Sequence, residues 1–352
     1  MKSTADTPRK SFLFFAGLVA IYLTFNSLLN LSNKWVLSSS TGYGFTFPLA
    51  LTCCHMGFSF LALLPYMLGK SMRGTHRKSI EKQWKGLVAI GVLMAANIAF
   101  NNSSLVNMSL SLNQIIRASI PVVTAIVAVV VEHQVPGKGE AAGLLVLTGG
   151  VMLSVYEGTA VGSPYAIFCC IAGTVCNGAM MSFSGRLLAE KLDVLRLAFY
   201  TAPVSLGVLL PIFYLSEAQR IQQYMAINGR DVYILVILSS MLALSYNIVH
   251  SLMILHTSAV ATTVIGEAKI IGLLILSYFL LGEKKVFTPN LWIGCVAAIG
   301  GFCLYSHFKL RAIQSKAAQD GPRDAADAEA HPLIPAATQL TKLSPRSPES
   351  RV

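Results

Sequence analysis

Ten stretches of about 20 predominantly apolar residues follow one another along this chain, separated by turns or short polar loops. A run of that length crosses the hydrocarbon core of a bilayer as a helix. In lipid the backbone N–H and C=O groups have no water to bind, so each stretch must satisfy them within itself. Helices are expected near 12–36, 46–68, 85–107, 111–131, 139–156, 163–187, 194–216, 232–255, 258–281 and 287–308. Only 12% of the 352 residues are charged, where a soluble domain carries about a quarter. The net charge of +11 would suggest nucleic acid in a soluble protein, but here most Lys and Arg flank apolar spans. The expected fold class is an all-α polytopic membrane protein.

A repeat organises these spans. GLLVLTGGVMLSVY (Gly143 to Tyr156) echoes GCVAAIGGFCLYS (Gly294 to Ser306), with Gly149–Gly150 and Gly300–Gly301 in register. Before each echo a cation precedes a glutamate by almost the same interval, Arg117 before Glu132 and Lys269 before Glu283. The spacing predicts a transporter domain over 12–309 made of two five-helix repeats, about 12–157 and 163–308, between a cytosolic segment 1–11 and a tail 310–352. Five is odd, so the second repeat enters the membrane inverted relative to the first, the plan of many secondary transporters. With the N-terminus cytosolic, sixteen Lys and Arg near span ends face the cytosol, and five (Lys34, Arg220, Arg230, Lys284 and Lys285) face the other side. That bias places both termini in the cytosol.

Arg117 and Lys269 sit inside otherwise apolar or small-polar spans. A cation at bilayer depth costs at least about 2.5–3.5 kcal/mol on insertion scales, so it persists where it meets a polar cavity or a partner. Two readings stand. Each cation can lock helix packing through Glu267 or a carbonyl, or it can contact an anion directly, Arg as a planar fork and Lys as a point charge. Glu267, two residues before Lys269, is a candidate for charge compensation or for a coupled proton. Asn97, Asn101 and Asn102 in the third helix, Asn113 and Gln114 one turn from Arg117, and Tyr246, Asn247 and His250 in the eighth form a second ring of polar groups. Interhelical hydrogen bonds would absorb some of them, and the rest can read hydroxyls or a base. The nominated substrate-binding set is Arg117, Lys269, Tyr246, Asn247, Asn101, Asn102, Asn113 and Gln114.

Other chemistry is thin. The seven cysteines all lie in apolar stretches without metal-ligand spacing, so neither a metal, a cofactor nor a disulfide framework is expected. No Ser-His-Asp set, paired carboxylate or HExxH occurs in the spans, which weighs against a multispan enzyme; a sensor would need a folded soluble domain. The N-terminal apolar run reads as a retained signal anchor, and it is not the long, Ser- and Arg-rich kind that addresses a plastid. The tail, rich in Ala, Pro, Ser and charge, is expected to be disordered. Its Glu329–Ile334 segment resembles an acidic dileucine sorting signal.

Several motifs together resemble the triose-phosphate translocator branch of the drug/metabolite transporter superfamily, kin to nucleotide-sugar transporters, over most of residues 12–309. They are Asn33-Lys34 with Phe47-Pro48, Leu51-Thr52 and His55; Phe100-Asn-Asn-Ser-Ser-Leu105; Ser111 through Ala118 with Pro121 and Thr124; Leu244-Ser-Tyr-Asn247; Gly266 through Lys269; and Tyr305-Ser-His-Phe-Lys309. The resemblance implies a phosphate-binding cation at Arg117, where the family has Lys. The chain departs from the plastid exchangers at Ile270, where they carry Arg, and at Ile98, where they carry a phosphate-contacting His. What remains resembles the endomembrane branch and implies an antiporter of nucleotide sugars, or of a related phosphorylated sugar, in exchange for a nucleoside monophosphate across a Golgi or endoplasmic reticulum membrane. A sugar-phosphate/phosphate exchanger is the alternative. The partners implied are an anionic small molecule, its counter-substrate and the bilayer, with a homodimer left open.

Overall fold

The computed structural model describes residues 6–37, 44–106, 110–156, 162–267 and 289–319, which are helical apart from short connections. The helices are α1 (Asp6–Leu37), α2 (Pro48–Met67), α3 (Lys70–Val106), α4 (Leu110–Arg117), α5 (Ile120–Val131), α6 (Lys138–Val155), α7 (Pro164–Ala189), α8 (Val194–Ser216), α9 (Ala218–His256), α10 (259–267) and α11 (Pro289–Gln319). Among the described residues six helices are long and apolar enough to cross a membrane, and Leu13–Leu29 and Ile115–Val131 are shorter apolar stretches. The chain is a multi-pass membrane protein. Lys269, Glu283 and most of the expected ninth helix lie outside the described residues, as do Met1–Ala5 and the tail beyond Gln319.

Two helices overshoot their apolar windows. α3 has 37 residues and α9 has 39, each about 55–60 Å long against a hydrocarbon core of about 30 Å. Both excesses lie at the N-terminal end, where the polar runs Lys70–Lys85 and Ala218–Asp231 continue the helix beyond the apolar part. α11 also runs past its window, through Ala, Gln and Lys to Gln319, because these residues favour helix once the preceding turns are formed.

The expected fourth helix is broken. α4 ends at Arg117, Ala118 and Ser119 form a turn, and α5 starts at Ile120. Pro121 supplies the reason, since it has no N–H to offer the carbonyl four residues back and its ring crowds that carbonyl. The carbonyl in question belongs to Arg117. The chain tightens instead, with the Ser119 N–H donating to the Ile116 carbonyl at 3.1 Å.

The helices pair as α2 with α8, α3 with α7, α1 with α9, α5 with α7 and α6 with α11. The last is a backbone-to-backbone seam. A Cβ on Gly150 would lie 2.4 Å from the Ala298 nitrogen, and one on Gly301 would lie 2.2 Å from the Leu147 nitrogen. A Cβ on Gly143 would lie 2.5 Å from the Tyr305 nitrogen, and one on Gly294 would lie 2.4 Å from the Ser154 nitrogen. Only glycine admits this approach, the small-residue packing of helices in lipid. Gly149 and Gly300, the other member of each pair, meet nothing within 4 Å. Swapping every residue for its counterpart in the echoed stretch (Gly143 for Gly294, Leu147 for Ala298, Gly150 for Gly301, Ser154 for Tyr305) returns the same contacts.

At one end of the bundle a carboxylate ties the second half to the first. Glu217, 4% exposed between α8 and α9, accepts from the Leu49 N–H at 3.2 Å and the Ala50 N–H at 2.8 Å. These are orphan donors of the first turn of α2, and an anion there also meets the positive end of the helix dipole. Arg220 lies over the Phe47 ring at 5.8 Å, and Phe45, Phe47 and Tyr224 meet edge to face beside it.

Candidate substrate site

The break after Arg117 leaves α4 as a two-turn helix with one polar face. Asn113 and Arg117 stand one turn apart on it, and Asn97 and Asn101 stand one turn apart on α3. The two pairs interlock. One terminal nitrogen of Arg117 donates to the side-chain oxygens of Asn97 and Asn101, both at 3.2 Å. The Asn113 amide donates to that same Asn101 oxygen at 3.2 Å and to the Ser104 hydroxyl at 2.9 Å, with Cys170 Sγ at 3.5 Å. Ser104 in turn donates to the Asn101 carbonyl at 2.7 Å. Asn113 is 1% exposed, so its side chain is enclosed by protein partners.

This knot fixes the guanidinium without neutralising it. Both acceptors are neutral amides, and they occupy one nitrogen only. Among the described residues nothing accepts a hydrogen bond from Nε or from the other terminal nitrogen. These two carry the parallel N–H groups that match a carboxylate or phosphate edge. Asn102, next along α3, keeps an amide nitrogen buried and, among the described residues, without a partner. A buried donor left so costs free energy that an acceptor on a ligand would recover.

A second cluster flanks the first. The ring of Tyr22 on α1 stacks on that of Tyr246 on α9 with centroids 6.2 Å apart, and lies 5.7 Å from His250. The Tyr246 hydroxyl and His250 Nδ1 are 3.0 Å apart, and His250 Nε2 lies 3.1 Å from the Met181 sulfur. Gly266 lets α10 approach here, since a Cβ on it would stand 3.1 Å from the Tyr22 hydroxyl. The next residue is Glu267, buried and close enough to feel both Arg117 and Tyr22 electrostatically. Asn247 follows Tyr246, partly buried on α9.

Of the nominated residues, Arg117, Asn101 and Asn113 come together directly, and Tyr246 gathers with Tyr22 and His250. Gln114 lies on α4 with its side chain outside the described ones, and Lys269 is likewise outside. The sequence places Asn97 in the second polar ring but outside the nominated substrate-binding set, and it does not mark Tyr22 at all. Asn97 carried a usable signal, its one-turn spacing from Asn101; Tyr22 carried none within the first helix. Among the described residues no cluster of His, Cys, Asp and Glu has the makings of a metal site.

Known proteins resemble this chain over most of its length. The model of the Triose-phosphate Transporter family matches residues 13–306. An Arabidopsis thaliana protein named "Probable sugar phosphate/phosphate translocator" is 30% identical over 312 residues, covering 85% of this chain and 96% of that one. UDP-uronic acid transporter 1 of the same plant is 29% identical over 278 residues, covering 75% and 86%. A solved crystal structure superposes with a TM-score of 0.60 at 13% identity over 84% of this chain and 97% of that one, a likeness of fold.

Proposed function

From the premise that this chain belongs to the Triose-phosphate Transporter family and is a transporter rather than an enzyme, we propose that it is a secondary antiporter. Its cargo is a nucleotide sugar or a related phosphorylated sugar, exchanged for a nucleoside monophosphate across a Golgi or endoplasmic reticulum membrane. The observation that carries this reading is Arg117, held at a helix break by neutral amides with one edge left for an anion. Discontinuous helices that place a charge at mid-membrane are how such carriers build their sites.

The cargo meets the protein through named groups. Arg117 and Lys269 bind the phosphate, and the Asn102 amide donates to it or to a sugar hydroxyl. Tyr246 and Asn247 serve the base or sugar, Gln114 joins them on the sequence pattern, and Glu267 balances charge when the site is empty. An empty carrier carries two cations against one carboxylate, so it reorients poorly until an anion arrives, and exchange rather than one-way flow results. The relative that is a UDP-uronic acid transporter supports the nucleotide-sugar choice. The alternative, a sugar-phosphate/phosphate exchanger, is supported by the relatives that carry that name.

The architecture that would move the site is ten helices in two inverted five-helix repeats, with both termini cytosolic. Its support is internal. The glycine seam maps onto itself when the halves are swapped. The same swap carries the α3–α7 pair onto α9–α1, and the two overlong helices, α3 and α9, hold matching places. Rocking of one half against the other about the site then gives alternating access.

Reconstituted protein in liposomes preloaded with each nucleoside monophosphate, and offered a panel of nucleotide sugars and a triose phosphate, tests the reading. Exchange that requires a particular internal monophosphate supports it. Uptake into empty liposomes as fast as into loaded ones would remove the antiport mechanism.

A further inference from the structure

Asn101 and Asn113 were nominated by sequence as ligand contacts, and their geometry gives them other work. The Asn101 oxygen has two lone pairs, and Arg117 and Asn113 use both. Asn113 spends its amide hydrogens on Asn101 and Ser104 and has no surface left for a ligand. Asn97 offers its oxygen to the same Arg117 nitrogen from one turn away. With two acceptors on one terminal nitrogen, the plane of the guanidinium is set, and so is the direction of its opposite edge.

We infer that Asn97 and Asn101, braced by Asn113, are positioning residues that aim Arg117 at the phosphate of the cargo while leaving its positive charge unspent. The inference rests on the proposed role of Arg117 as the phosphate-binding cation. The choice of amide over carboxylate is its core. An aspartate at either place would have the same shape and would hold the guanidinium more firmly, but it would neutralise it as a closely paired salt bridge. A charge already paired attracts a phosphate weakly. An amide gives direction without that loss, and the side chain most alike in shape is the one the site cannot accept. α4 meets α3 through this knot and rests its Leu112 and Ile116 against Ala166 and Cys170 of α7.

The test uses Asn101→Asp and Asn97→Asp in the full-length protein, purified in detergent. Thermal-shift titrations with inorganic phosphate and with UMP give the dissociation constants, and melting without ligand reports folding. Each variant is expected to melt at or above the wild-type temperature and to bind both anions roughly ten- to a hundredfold more weakly, the size of one charge-assisted contact. Asn101→Asp combined with Arg117→Ala should bind no more weakly than Arg117→Ala alone, because the residues act as one unit. Undiminished anion binding in both aspartate variants would overturn the positioning role and leave the proposed function standing. So would a weakening that simply adds to that of Arg117→Ala. If neither anion, nor a nucleotide sugar, stabilises the wild-type protein, the proposed function falls and this inference with it.

Discussion

The α6–α11 seam and the α3–α4 knot are opposite solutions to placing two helices together in a membrane. At the seam, Gly143, Gly150, Gly294 and Gly301 remove side chains so that backbone meets backbone and no polar side-chain group intervenes. At the knot, Asn97, Asn101, Asn113 and Ser104 fill the space with amides and a hydroxyl and hold a cation among them. The seam has no adjustable part, since any added atom collides with main chain. The knot is saturated on one side and, among the described residues, open on the other, where Arg117 donates through one terminal nitrogen only and the Asn102 amide has no acceptor. Tight backbone contact suits an element that moves as one body, and unspent hydrogen-bonding capacity suits a place that receives a ligand.

The largest effect should come from closing the seam to glycine. Gly150→Leu or Gly301→Leu puts carbon within about 2.5 Å of backbone nitrogen, so a helix must shift and little folded protein should survive size-exclusion chromatography. Gly149→Leu and Gly300→Leu, which meet nothing within 4 Å, should elute like the wild type. Equal damage from both pairs would mean that glycine is needed there for something other than close approach.

Glu217 is an intermediate case, a buried charge whose two oxygens are both used. Glu217→Ala strands two backbone donors at the start of α2 and should cost about 1–3 kcal/mol, read as a melting point several degrees lower in detergent. Glu217→Gln keeps one acceptor and should lose about half as much. A neutral result for Glu217→Ala would show that the α2 start is satisfied by water.

The smallest effect concerns Glu132, just past the end of α5, where burial pushes the carboxyl up to about 7 and the Lys309 charge only partly offsets this. A carboxyl raised in the folded state holds its proton more tightly there than when unfolded. Its contribution to stability is therefore present below about pH 4.5 and lost as pH rises through about 7. Glu132→Gln should flatten this part of the melting-temperature profile and raise the melting point slightly at pH 7.5. An unaltered slope would assign the pH dependence elsewhere.

Much of the fold was legible in the sequence because membranes force helices to declare themselves by length and hydropathy. The windows at 46–68, 139–156 and 194–216 match α2, α6 and α8 within two residues at each end. The glycine echo pointed to two related helices, though nothing in it said that they would pack on one another. The overshoots of α3 and α9 were illegible to hydropathy, which reads lipid and not the helix that continues beyond it. The break after Arg117 was written in Pro121, yet a proline one turn past a cation also fits a kinked continuous helix. For the proposed site the sequence carries chemistry more plainly than geometry. Arg117 stood out because charge is costly at that depth, whereas the division of labour among Asn101, Asn102 and Asn113 depends on which way each amide faces.

The central claim is that Arg117 is an anion-binding group and not a strut. Its direct measurement is counter-exchange by Arg117→Ala in liposomes at matched amounts of folded protein, with inorganic phosphate and UMP binding recorded in parallel. Among the described residues its hydrogen-bond acceptors are neutral amides, so removing the cation breaks no hydrogen-bonded ion pair, unlike the loss of one member of a buried salt bridge. The account predicts normal yield and melting, with exchange abolished and anion binding weakened about a hundredfold but still measurable by titration. A variant that folds poorly, but whose surviving fraction exchanges and binds anions as the wild type does, would contradict it.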